Sequence, residues 1–117
     1  MSTFVRATFR SVWTLELLCY LRKHPDNAQP IADLVAGLRA SDLVVRQSAD
    51  ALLAAGLVVV EADGAIRYSP SSGALDELAI ASEALYARSP DAVRRMIVAA
   101  ANPGITAFAD AFRLRKD

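Results

Sequence analysis

The chain has 117 residues, 54% of them hydrophobic, which leaves room for one packed domain. Its 13 Lys and Arg balance 13 Asp and Glu, so a grip on nucleic acid has to come from charge segregated to one face. One cysteine, Cys19, excludes an internal disulfide and fits a reducing compartment, and one cysteine with one histidine cannot fill a four-ligand zinc site.

Residues 1–10 show no clear period. Phe4, Val5 and Phe9 suit an arm or short helix that docks on the body or on a second subunit, and no apolar stretch there is long enough for a signal peptide. Ser11 is placed to N-cap a helix that runs to about His24 and stops at Pro25. Val12, Trp13, Leu15, Leu17, Leu18, Cys19, Tyr20 and Leu21 cover most of its circumference, so it should be buried on more than one side. Cys19 reads as a small hydrophobe there, Trp13 and Tyr20 as core, and His24 as a solvated or capping residue rather than part of a catalytic triad.

A polar loop over residues 25–30 leads to a helix over Ile31 to Leu38, in which Gly37 is out of place at about 1 kcal/mol against Ala. After a turn at Ala40-Ser41, Ser41 caps a helix from Asp42 to about Ala55, with Val45, Ala49, Leu52 and Leu53 as its inward stripe. Asp42, Leu43, Arg46, Gln47 and Asp50 are left facing outward. Gly56 ends the helix with free access to positive φ. Leu57 to Val60 and Ala65 to Tyr68 form two strands around Asp63-Gly64, a two-residue hairpin signal. No apolar tract approaches the ~18 residues of a membrane span, and the protein is expected to be soluble and cytoplasmic.

Ser71 or Ser72 caps a helix from about Ala74 to Ala87, whose Leu75, Leu78, Ser82 and Leu85 form a short heptad-like seam. Another helix runs from Ser89-Pro90 to about Ala101, and a last one, carrying Phe108 and Phe112, spans about 105–115. The expected fold is mainly α with a small β-hairpin. Residues 1–70 hold the arm and the helix–hairpin unit, and residues 71–117 a helical extension in the same compact unit.

Residues 11–70 resemble the winged helix-turn-helix family, the MarR-like and PadR-like bacterial regulators in particular. The most specific match is Leu52-Leu53-Ala54-Ala55-Gly56-Leu57-Val58, which is similar to the family's passage from recognition helix into wing. The resemblance implies that residues 42–55 enter a DNA major groove. Arg46 and Gln47 would then meet base edges, Ser41 would sit at the helix entry, and Arg39 and Arg67 would meet phosphates. It also implies a homodimer, for which Leu75, Leu78, Leu85, Phe108 and Phe112 are the candidate contacts. The departure from the pattern is acidic: the outward face carries Asp42 and Asp50, and the hairpin carries Glu61 and Asp63. Those residues, with exposed Leu43, leave open an alternative in which this face binds protein. A ligand sensor with a pocket between the 11–24 helix and the C-terminal helices is a third possibility. No phosphate-cradling loop, zinc-protease motif or nucleophile elbow is present, so no cofactor, metal or catalytic role is expected.

Overall fold

The computed structural model describes residues 2–101. Among them are six helices and a two-stranded antiparallel sheet: α1 (Ser2–Thr8), α2 (Val12–Arg22), α3 (Ile31–Leu38), α4 (Asp42–Ala54), β1 (Val58–Val60), β2 (Ile66–Tyr68), α5 (Gly73–Arg88) and α6 (Pro90–Ala101). The final helix expected over 105–115, with Phe108 and Phe112, lies outside the described residues. No helix among the described residues is long and apolar enough to cross a membrane.

Local chemistry sets most boundaries. Ser11, Ser41 and Ser72 each sit in extended backbone and accept from the amide three residues on, at Thr14, Val44 and Leu75. Gly56, at φ 78°, turns the chain out of α4, and a side chain there would press on the Ser71 hydroxyl. Between α3 and α4 the left-handed residue is Arg39, at φ 56°, a conformation that L side chains seldom take.

The core is built around α2. Its Leu15, Leu17, Leu18 and Leu21 are fully buried although they point in several directions. Burying them is worth roughly 6–12 kcal/mol before entropy, several times what a cap contributes. This follows from the position of α2, which touches α3, α4, α5, α6 and β2. Val45, Ala49 and Leu52 of α4 face this core, with Leu34 and Leu57. The fourth inward position on α4 is Ser48 at 2% exposure, not Leu53, which is 46% exposed. At 100° per residue Ser48 and Leu53 flank the Val45–Ala49–Leu52 stripe on opposite sides, and the core covers the Ser48 side. Trp13, expected in the core, is 40% exposed at the first turn of α2. Tyr20 is half-buried and lies over Gly37, where a Cβ would collide with its ring. That close approach is why α3 carries a glycine at this point.

The hairpin pairs Val58 with Tyr68, Val59 with Arg67 and Val60 with Ile66. Its loop has three residues, Ala62-Asp63-Gly64, rather than the two expected. Glu61 N–H donates to Ala65 O at 2.8 Å, Gly64 N–H donates back to Glu61 O at 2.9 Å, and Gly64 takes φ 88°. Gln29, in the loop before α3, exchanges both backbone hydrogen bonds with Ile66 at 2.7 and 2.8 Å, so a third segment borders the sheet.

Helix α1 docks on this chain through Val5, helped by Phe9 just beyond its end, both 1% exposed, and it packs on α6. On α5 the inward face holds Leu75, Ala79, Ser82, Leu85 and Tyr86, so the 75/78/82/85 seam widens to take in Ala79 and Tyr86. Ala79 and Ser82 are the buried residues of α5, their small side chains allowing close approach, while Leu78 and Leu85 are half-buried. Val93 and Ile97 anchor α6, with Met96 half-buried beside them.

Candidate nucleic-acid interface

Helix α4 presents Asp42, Leu43, Arg46, Gln47 and Asp50 to solvent, and Leu53 and Ala54 are exposed near its end, while Val45, Ala49 and Leu52 turn inward. Leu43 is 64% exposed. Ser41 holds the start of the helix through its hydroxyl, 3.1 Å from Val44 N–H, and Asp42 adds a carboxylate at the positive end of the helix dipole.

Arg46 does not extend freely. Its Nε donates to Asp42 Oδ1 at 2.6 Å, one helical turn back. That bond and the Asp42 charge push the guanidinium pKa up, so Arg46 stays a cation at any working pH. A contact at Nε leaves both Nη groups as donors, the pair that can address the O6 and N7 acceptors of a guanine. Arg67 on β2 is held in the same way, with Nε 2.8 Å from Glu61 Oε1 across the hairpin. Arg39 is exposed in the connection that leads into α4. The candidate cations Arg39, Arg46 and Arg67 are thus accompanied by carboxylates on the same elements: Asp42 and Asp50 on α4, and Glu61 and Asp63 on the hairpin.

The carboxylates were visible in the sequence, but their pairing was missed. Asp42 and Arg46 stand at the i,i+4 spacing of a helical ion pair. Glu61 lies two residues beyond Val59, the cross-strand partner of Arg67, within diagonal reach.

A second set of side chains fixes the hairpin to the helices. Arg22 of α2 pairs with Glu83 of α5 and lies 5.5 Å over the Tyr68 ring. Tyr68 in turn donates to Asp76 Oδ1 at 2.7 Å. Burial, then the Asp76 bond, push the Tyr68 phenol up to about 12. The Arg67 backbone next to Tyr68 is therefore tied to both α2 and α5. Farther along, Tyr86 of α5 bonds Glu16 of α2 and accepts from Arg94 Nη2 at 3.2 Å. Cys19 lies near Glu83 and Glu16. Burial first, then those two charges, push its thiol up to about 12.

Of the candidate dimer contacts, Leu75 and Leu85 pack against the chain's own core and Leu78 is half-buried. Ile80 is the large apolar side chain of α5 most open to solvent, at 46%. Phe108 and Phe112 lie outside the described residues. No cluster of three or more His, Cys, Asp or Glu among the described residues could hold a metal ion. No family model, curated protein or solved structure matches the chain.

Proposed function

We propose that the chain is a winged helix-turn-helix transcriptional regulator that binds double-stranded DNA as a homodimer and performs no catalysis. In this reading α2, α3 and α4 are the helical core, α4 is the recognition helix and the β1–β2 hairpin is the wing. The observation that carries the proposal is the posture of Arg46. It sits on the exposed face of α4, anchored at Nε by Asp42, with both Nη groups left to act beside the Gln47 amide. Anchoring lowers the entropy lost when a long side chain engages a base edge. Arg46 and Gln47 read bases, Ser41 organises the entering end of the helix, and Arg39 and Arg67 meet phosphates.

Two-fold symmetry would place two α4 helices about one DNA turn apart. Half-buried Leu78 and exposed Ile80 support α5 as part of the contact between copies. A reducing, cytoplasmic location follows from this role and suits the single unpaired Cys19.

The test is a polarisation titration with duplex from the protein's own promoter region. Arg46→Ala should weaken specific binding by about 1–3 kcal/mol and leave non-specific binding nearly unchanged. Equal specific affinity in the variant would remove Arg46 from the site.

A specific observation favours a second reading. Leu43 is 64% exposed at the front of α4, among carboxylates that repel phosphate. In that reading the same face docks on a protein surface that offers an apolar pocket rimmed by Lys or Arg. Leu43→Ser separates the two, because it would abolish protein capture and only mildly affect a DNA complex.

A further inference from the structure

Two grooves meet on the flank of α4 that faces the N-terminal segment. One, of about 350 Å³, lies between α1 and the end of α4, where Phe4, Ala7, Ala54 and Ala55 border it. The other, of about 400 Å³, lies between the start of α2 and the middle of α4, with Trp13, Val44 and Ser48 on its walls. Arg10 and Ala51 border both, so the two form one trough along the helix. From Val44 to Ala55 it runs ~16 Å at the rise of an α-helix.

Three features mark the trough as a surface made to be covered. Its walls are largely apolar, and the small side chains of Ala7, Ala51, Ala54 and Ala55 leave room for another helix to come close. Trp13 stands 40% exposed at one end. At that same end Ser48 is 2% exposed, yet its hydroxyl has no hydrogen-bond partner. Buried hydroxyls in native proteins are nearly always paired. Ser82 of α5, equally buried, donates to Leu78 O at 2.7 Å.

The chain carries a segment of matching length and pattern. Residues 102–117 follow α6, and α6 packs on α1, one wall of the trough. Asn102-Pro103-Gly104 breaks the helical pattern, and the four steps from Ala101 to Ile105 can span ~13 Å. Ile105, Phe108 and Phe112 then stand at i, i+3 and i+7, the spacing of a helix that lays one apolar face in a groove. At helical rise that stripe is ~10 Å long and fits within the trough. Ala109 and Ala111 flank it with small side chains, and Asp110 falls on the opposite face.

We propose that residues 105–115 dock as a helix in this trough of their own chain. Phe108 and Phe112 fill the grooves on either side of Ala51. Running from the α1 end toward Trp13, the segment brings the unpaired carbonyls of its last turn to the Ser48 hydroxyl and to Arg10, a cation suited to the negative end of a helix. Phe108 and Phe112 are then contacts within one chain, not between copies. The site stands on these features whatever the outward face of α4 binds.

Trp13 is the only tryptophan in the chain, so its emission and its quenching by acrylamide report the cover over the trough. In the full-length chain, Phe108→Ser with Phe112→Ser should shift the emission to the red and raise quenching, equally at every protein concentration. Asp110→Asn, on the opposite face, should change neither. The second test is a bridge. In a full-length Cys19→Ala chain, Ala51→Cys and Ala111→Cys should oxidise to a disulfide within one chain, seen by mass and on a non-reducing gel. A Trp13 signal that the double serine variant leaves unmoved overturns the proposal. So does a bridge that fails to form, or one that forms only between chains and so assigns the segment to a second copy.

Discussion

The Arg22–Glu83 pair offers an asymmetry that the structure makes quantitative. The Arg22 side chain is 16% exposed and that of Glu83 39%. Replacing Glu83 by Ala strands a mostly buried guanidinium whose Nε already lacks a partner. Breaking a fully buried pair from one side costs about 3–5 kcal/mol. Partial solvent access at both groups scales that to about 2 kcal/mol here. Replacing Arg22 by Met leaves a carboxylate that water reaches, and it keeps the apolar stem in place. What is lost is the ion pair and the contact with the Tyr68 ring, together about 1 kcal/mol. Urea unfolding of the native chain and both variants, compared at a common m-value, measures the two costs. Glu83→Ala should be the more damaging change. If Arg22→Met costs as much or more, Arg22 works through packing or through Tyr68, and the reasoning from stranded charge fails.

Other predictions concern pH and packing. Cys19 rises from 9.0 to about 12 and Tyr68 from 10.0 to about 12, so both hold their protons in the fold beyond the pH at which the unfolded chain releases them. Their contribution is complete below pH 9.0 and is lost as pH climbs from there through about 12. The urea midpoint should therefore fall across that window, and Cys19→Ala should flatten the early part of the fall. A midpoint that holds through the window would contradict it. For the same reason Cys19 should alkylate slowly at about pH 8 in the folded protein and quickly in urea. Gly37→Ala should destabilise the native chain by about 1–2 kcal/mol, because the new methyl meets the Tyr20 ring. In a Tyr20→Ala background the same change should stabilise by up to about 1 kcal/mol, measured by thermal melting.

Features decided within a few residues were legible in the sequence. Ser11 and Ser41 cap where a hydroxyl precedes an apolar-periodic run, and Gly56 and Gly64 stand where the backbone needs positive φ. Features decided by packing were less so. The choice between Ser48 and Leu53 on α4 depends on the angle at which α4 meets α2, and hydrophobicity alone points to Leu53. The α5 stripe widened for a related reason: close approach to the core favours Ala79, beside the expected Ser82, over the larger Leu78. Trp13 stands exposed because α4 meets α2 across an open groove at that point. Of the proposed site, the outward face of α4 could be read by subtracting the inward stripe. The holding of Arg46 and Arg67 by neighbouring carboxylates depends on rotamers, although the sequence carries the spacings that permit it.

The salt dependence of duplex binding separates a groove-bound α4 from a protein-docking one. With Arg39 and Arg67 of each protomer on phosphates, the logarithm of the binding constant should fall against the logarithm of salt with a slope of roughly −3 to −4. A slope indistinguishable from zero, or no binding at low salt, would mean that this surface meets no phosphate backbone.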